Sequence, residues 1–323
     1  MGRRRLEVGR MTRIGVVFPG QGSQALGMGV DVANHSTAAS DLFDMAQTVL
    51  GYDLLGLQRH GPEERLRETQ YSQPAIFVSN VAIFAALELP PESLIVSAGH
   101  SFAEYCSLYA AQSIGFEDGL RVVNARGIAM QRAAELAAGG MSAVLGMDAS
   151  DIRRVVDDVR AQTGLRVQLA NFNSPAQIVI SGDLRGVQAA GEALMAAGAK
   201  RVVPLNVSGA WHSALMEPAL EHFTHVVEAA PFTLPRFDVV SNVDAQPYRD
   251  VATIKKNLVL SVTHEVRWHE TAERLVSYGL DLIIECGASP VLGPLIKRLP
   301  GAPEVVVVSD FAGAQKLRNA VTA

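Results

Sequence analysis

The sequence is poor in cysteine: 323 residues hold only Cys106 and Cys286, and neither stands in metal-ligand spacing. Two thiols exclude the disulfide framework that staples small secreted domains, and they suit small buried hydrophobes in a reducing, cytoplasmic compartment. No apolar run reaches the ~20 residues of a membrane span. The basic start MGRRRLEVGRM has no apolar stretch behind it, so it does not read as a secretory signal. Residues 1–12 are expected to form a disordered extension before the first strand. An excess of positive charge is also missing. With 28 Lys and Arg against 33 Asp and Glu the net charge is -5, which argues against nucleic acid as a bulk partner. What is present is a chain 48% hydrophobic and 19% charged, long enough to bury a large core.

Arg13–Pro19 is a short apolar run ending in Gly20-Gln21-Gly22-Ser23, the pattern of a buried strand entering a Gly-rich turn. A helix is expected from about Asp41 to Leu57, and a core helix over Ser72–Leu87, which is apolar almost all round. Leu94–Ala98 reads as a second buried strand, followed by a tight turn and the helical Glu104–Ala111. Such units point to parallel strands covered by helices. Over 139–206 the texture changes to strand Met141–Leu145, helix Ala149–Gln162, strands Arg166–Ala170 and Gln177–Ser181, helix Leu184–Ala197 and strand Arg201–Leu205. This βαββαβ order is ferredoxin-like and marks a small inserted subdomain. Strand and helix alternate again afterwards: strand Asp238–Ser241, helices near Thr253–Val262 and Trp268–Tyr278, and strands Asp281–Glu285 and Val305–Val308. The expected fold class is α/β, with a large domain over 13–138 and 207–323 built on a mainly parallel sheet.

Gly99-His100-Ser101-Phe102-Ala103 lies between a strand and a helix. A serine at such a turn has its hydroxyl lifted clear of the backbone, and the next amide points at a developing oxyanion. A turn serine is also an ordinary helix N-cap, so this motif alone leaves both roles open. A nucleophilic serine needs a base. Of eight histidines, His100 suits packing, His264 and His269 bracket a helix start, and His212 lies in a small-residue turn; spacing does not choose His212 over His269. Gly20-Gln21-Gly22-Ser23 has no Lys in Walker spacing and no G-x-G-x-x-G, so it is not a phosphate or dinucleotide loop.

Taken together, FPGQGSQ (Phe18–Gln24), GHSFAEY (Gly99–Tyr105), ARGIAMQ (Ala125–Gln131), NFNSPAQIVISG (Asn171–Gly182), SGAWHSALM (Ser208–Met216) and EVRWHET (Glu265–Thr271) resemble the malonyl-CoA:acyl carrier protein transacylase family, in the family's order and over nearly the whole chain. NFNSPAQIVISG and IKKNLV (Ile254–Val259) look most similar to the discrete acyltransferases that serve polyketide synthases in trans. The resemblance implies a hydrolase-like large domain and ping-pong acyl transfer. In it Ser101 is the nucleophile, His212 the base, and the amides of Gln21 and Phe102 the oxyanion hole. A main-chain carbonyl orients the base, and Arg126 grips the free carboxylate of a malonyl group. It implies a CoA thioester as donor, the phosphopantetheine thiol of an acyl carrier protein as acceptor, no permanently bound cofactor or metal, and a monomer in fatty-acid or polyketide synthesis. Arg153, Arg154, Lys297 and Arg298 are basic residues that could meet an acidic carrier.

Several positions depart from the family pattern. Phe102-Ala103 replaces Leu-Gly, Trp211 stands where malonyl-selective members have Phe, and Ser261 takes the place of a Gln in the acyl pocket. The larger ring is expected to narrow one wall and the smaller Ser261 to open another. A transferase of aminoacyl or peptidyl groups, a proofreading acyl-carrier hydrolase and a non-enzymatic docking scaffold are the alternatives.

Overall fold

The computed structural model describes residues 11–322, so residues 1–10 of the expected extension lie outside the described residues. Among the described residues there are nine strands: β1 (Ile14–Phe18), β2 (Leu94–Gly99), β3 (Gly139–Leu145), β4 (Val167–Ser174), β5 (Gln177–Asp183), β6 (Arg201–Pro204), β7 (Asp238–Val239), β8 (Leu282–Cys286) and β9 (Glu304–Val308). They form two sheets. One is parallel throughout, in the order β7-β2-β1-β8-β9. β1 and β8 are buried at every position, as IGVVF and LIIEC must be when helices cover both faces. From β1 the chain works outward through β2 to β7 and then returns to β8 on the other side. The crevice of such a sheet opens at the carboxyl ends of the strands beside that reversal.

The second sheet is antiparallel, in the order β4-β5-β3-β6. Its first and third strands are central, and the helices Ala149–Thr163 and Leu184–Ala196 close a separate core against it through Ile152, Val156, Val187 and Leu194. This is the arrangement of a ferredoxin-like unit. Two backbone bonds tie it to the parallel part: Phe172 donates to the Val266 carbonyl at 2.9 Å, and Val266 donates to that of Ala170 at 2.8 Å.

The helix Thr69–Leu87 is buried along most of its length, including polar Thr69, Ser72, Gln73, Ser79 and Asn80. It packs on the helix Phe116–Leu136, and Gly127 sets their separation. A Cβ on Gly127 would lie 2.9 Å from the Thr69 carbonyl oxygen and 3.2 Å from Gln70 Cα, so only glycine admits this approach. The single helix expected over Asp41–Leu57 is two, Thr37–Leu50 and Leu54–His60. Gly51 ends the first at φ 74, and Asp53 caps the second by accepting from the Gly56 amide at 2.7 Å.

Candidate active site

The turns after β1 and β2 meet at the carboxyl edge of the parallel sheet. Gly20 is pressed on the second turn: a Cβ there would stand 2.5 Å from the His100 carbonyl oxygen. Gly99 is tighter still, its absent Cβ falling 2.0 Å from the Ala103 oxygen. Ala103 itself has right-handed helical angles, φ -65 and ψ -4, so its methyl meets no conformational penalty. Between them Ser101 holds φ 56, a left-handed conformation that costs a non-glycine residue ~1–2 kcal/mol. The strained turn lifts Oγ toward His212, whose Nε2 lies 2.8 Å away.

His212 also has a positive φ, 59, and is buried. Its Nδ1 faces two carbonyl oxygens, Ser261 at 2.7 Å and His264 at 3.1 Å. Both can only accept, so Nδ1 carries the proton and Nε2 is the lone-pair side facing the Ser101 hydroxyl. The Ser261 carbonyl sits at the C-terminal end of the helix Val251–Leu260, where the helix dipole is negative and favours an imidazolium as it forms. Gln168 of β4 steadies this loop by donating to the His212 and Thr263 carbonyls at 3.2 and 3.3 Å and accepting from the Ala214 amide at 3.1 Å. Burial first, and then the nearby Arg126 guanidinium, lower the imidazole to about 3. A 15N NMR titration is therefore expected to show His212 neutral, with Nδ1–H, from pH 8 down through pH 5. Protonation near pH 6.5 would contradict this electrostatic picture.

Arg126 projects from the helix Phe116–Leu136 and is 1% exposed. Its Nη1 donates to Gln73 Oε1 at 2.9 Å, while Nε and Nη2 have no hydrogen-bond partner among the described residues. Gln73 Nε2 donates to Thr69 Oγ1 at 3.0 Å, and Thr69 Oγ1 to Gln21 Oε1 at 2.9 Å. A buried polar chain thus runs from the arginine to the turn after β1. No carboxylate pairs with the guanidinium among these contacts, and burial lowers it to about 10. A buried cation with unused donors is suited to receiving an anion.

Gln21, Ser101, Arg126, Trp211 and His212 all line one cavity of ≈ 240 Å³ between the two sheets. That is below the ~300–1,000 Å³ of drug-sized ligand sites, which favours a short acyl group over a long chain. Phe102 does not line it. Its ring is buried in the large core, so only its amide can serve the site. Ser261 also stays outside the lining: its hydroxyl donates back to the Leu258 carbonyl at 2.8 Å, and it reaches the site through its own carbonyl. The smaller side chain at 261 therefore does not open the acyl pocket. Trp211 is 5% exposed, and its ring fills the space left by Gly209, where a Cβ would meet Cη2 and Cζ3 at 2.6 and 2.7 Å. Part of its bulk is thus taken up away from the cavity. His100, expected only to pack, lines the cavity as well; its Nε2 lies 2.9 Å from Asn173 Oδ1 of β4, and its ring tilts over Trp268.

A strained serine after a parallel strand, an imidazole held in one tautomer and a buried guanidinium across a small cavity are the parts that acyl-serine chemistry on an α/β scaffold requires. The chain belongs to the acyl transferase domain family, whose model matches residues 16–300. It is 39% identical over 300 residues to the malonyl CoA-acyl carrier protein transacylase of Bacillus subtilis (strain 168), covering 93% of this chain and 94% of that one. The Salmonella typhimurium (strain LT2) protein of the same name is 38% identical over 290 residues, covering 90% and 93%. Among solved structures, the Coxiella burnetii malonyl CoA-acyl carrier protein transacylase superposes with TM-score 0.91 at 33% identity, over 97% of this chain and 99% of that one. A malonyl-transacylase in complex with its type II PKS acyl-carrier protein superposes with TM-score 0.89 at 38% identity, over 96% and 100%.

Proposed function

We propose that the protein moves malonyl groups from CoA to the phosphopantetheine thiol of an acyl carrier protein, in fatty-acid or polyketide synthesis, through an acyl-serine at Ser101. The observation that carries this reading is the buried guanidinium of Arg126, with Nε and Nη2 free of partners among the described residues, in the same small cavity as the Ser101–His212 pair. Ser101 Oγ attacks the thioester carbon as His212 Nε2 takes its proton. The amides of Phe102 and Gln21 stabilise the oxyanion. Collapse breaks the C–S bond, and His212 returns the proton to the departing CoA sulfur. The carrier thiol then attacks the acyl-serine by the same steps reversed, with its proton passing through His212 to Ser101. Every group needed is protein or substrate, so CoA is a donor and no resident cofactor is required.

Exposed Lys297 and Arg298 follow Leu292 and Leu295, which line the cavity, and are the better placed of the basic pairs to meet an acidic carrier. Arg153 and Arg154 are already engaged, by Glu265 at 3.6 Å and by Asp151 at 3.5 Å. The compartment is the cytoplasm, which suits two buried free thiols; no described helix is long and apolar enough to cross a membrane. The test is intact-protein mass spectrometry after incubation with malonyl-CoA or acetyl-CoA. A malonyl adduct is expected on the native chain, little or no acetyl adduct, and neither on Ser101→Ala. An adduct that persists in Ser101→Ala would overturn the assignment.

A further inference from the structure

The strained nucleophile turn is held by a residue 141 positions away in sequence. β7 is the short edge strand beside β2, and three residues beyond its end stands Asn242, 1% exposed. Its Oδ1 accepts from the Ser101 amide at 3.1 Å. Its Nδ2 donates to the Gly99 carbonyl at 2.9 Å and to the Ser101 carbonyl at 3.3 Å. At φ 56 Ser101 turns its amide toward Asn242, and the one amide side chain takes up that donor and bridges it to the Gly99 and Ser101 carbonyls, the latter also accepting from the Glu104 amide. Both carbonyls can only accept, so the orientation of the Asn242 amide is fixed.

Asn242 is anchored in turn. Buried Glu104, from the first turn of the helix after the nucleophile, accepts from the Asn242 amide nitrogen at 2.9 Å and also from its Nδ2. The hydroxyl of Tyr248, itself buried, donates to the other Glu104 oxygen. None of these three residues lines the acyl cavity.

We infer that Asn242, oriented by Glu104 and Tyr248, is a positioning residue that holds Ser101 in its left-handed conformation and so aims Oγ at His212. The brace acts on the nucleophile without touching the acyl group. It also occupies the Ser101 amide, leaving the oxyanion to the amides of Phe102 and Gln21. The inference rests on the proposed role of Ser101 as nucleophile.

The test compares Asn242→Ala, Asn242→Asp, Glu104→Gln and Tyr248→Phe by three readouts: kcat and KM for malonyl transfer to a phosphopantetheinylated acyl carrier protein, thermal unfolding, and the rate of Ser101 labelling by an alkyl fluorophosphonate. In labelling an Oγ–P bond forms, fluoride leaves and the hydroxyl proton passes to His212, so this readout does not depend on the acyl donor. Asn242→Ala is expected to lower kcat and the labelling rate together, by about 10²-fold, with KM for malonyl-CoA within about threefold of native. Glu104→Gln, which can still accept from Asn242 and meet Tyr248, is expected to stay within about fivefold of native. A folded Asn242→Ala protein that labels at the native rate overturns the inference, as does one whose loss lies in KM alone. If Asn242→Ala does not fold, Asn242→Asp decides: it keeps the acceptor toward Ser101 but loses both donors, and native-rate labelling there overturns the inference equally. Native protein that labels with fluorophosphonate but takes no malonyl group would count against the donor assignment and leave the brace standing.

Discussion

His212→Ala is expected to form the malonyl-serine about 10⁴-fold more slowly than the native chain in a rapid-quench experiment, with little change in malonyl-CoA affinity. At neutral pH the Ser101 hydroxyl is a poor nucleophile, and the mechanism proposed above takes His212 Nε2, which contacts it at 2.8 Å, as its base. The orienting partner is not a carboxylate. Two carbonyls hold Nδ1, one of them at a helix C-terminus, so the imidazolium of the transition state leans on dipoles and not on a buried anion. The same carbonyls fix the tautomer, which matters because an Nε2–H imidazole could not accept the hydroxyl proton. Because nucleophile and base act as a unit, the Ser101→Ala/His212→Ala double variant is expected to be no slower than Ser101→Ala alone. A loss of only about tenfold in His212→Ala would mean that another base reaches Oγ. His100 is the group to examine in that event, since it shares the cavity.

The parts of the molecule that could be read from the sequence are those whose signal is local. β1 and β2 are apolar runs buried on both sides, and the βαββαβ unit carries its own alternation of period and turn residues. The helix break at Gly51-Tyr52-Asp53 was written in a C-terminal glycine and an N-capping aspartate, but the apolar pattern on either side ran across it. The helix Phe116–Leu136, which carries Arg126, has glycines at 119 and 127 and charges along its outer face; its helical reading depends on contacts with Thr69–Leu87 that no local pattern contains. The expected strand Asp238–Ser241 shortens to Asp238–Val239 because Val240 bridges to Pro247 and Ser241 enters a turn with Gln246, which leaves Asn242 facing the Ser101 amide.

The site divides in the same way. Motifs placed Ser101, His212, Gln21 and Arg126, and the structure brings all four to one cavity. Ser261 was expected as pocket wall from its position, yet its side chain turns into its own helix end and its carbonyl does the work. Thr69 and Gln73 had a usable signal, since polar residues in a helix apolar all round are rarely buried without a partner. Asn242 had none: its partner lies 141 residues away, and only the sheet order brings the two together.

Replacing Arg126 by Met is expected to separate malonyl selectivity from stability. The guanidinium is 1% exposed with Nε and Nη2 unpartnered among the described residues, and burial lowers it to about 10, which corresponds to a folding cost on the order of 3 kcal/mol. A malonyl carboxylate relieves that cost with charge-assisted bonds; an acetyl group cannot. In Arg126→Met the ratio of kcat/KM for malonyl-CoA to that for acetyl-CoA is expected to fall about 10³-fold, while acetylation of Ser101 becomes measurable. The thermal midpoint without substrate should equal or exceed that of the native chain, because a flexible apolar side chain removes the buried charge and retains most of the volume. One contact works against this gain, since Gln73 Oε1 loses its donor; but Gln73 keeps its bond to Thr69, and a neutral acceptor left unpaired costs only about 1–3 kcal/mol. Calorimetry on the free protein and its malonyl form separates the terms: acylation should raise the midpoint of the native chain and leave that of Arg126→Met unmoved. An unchanged malonyl-to-acetyl ratio would remove Arg126 from the acyl site, and the cavity's selectivity would then have to come from its size alone.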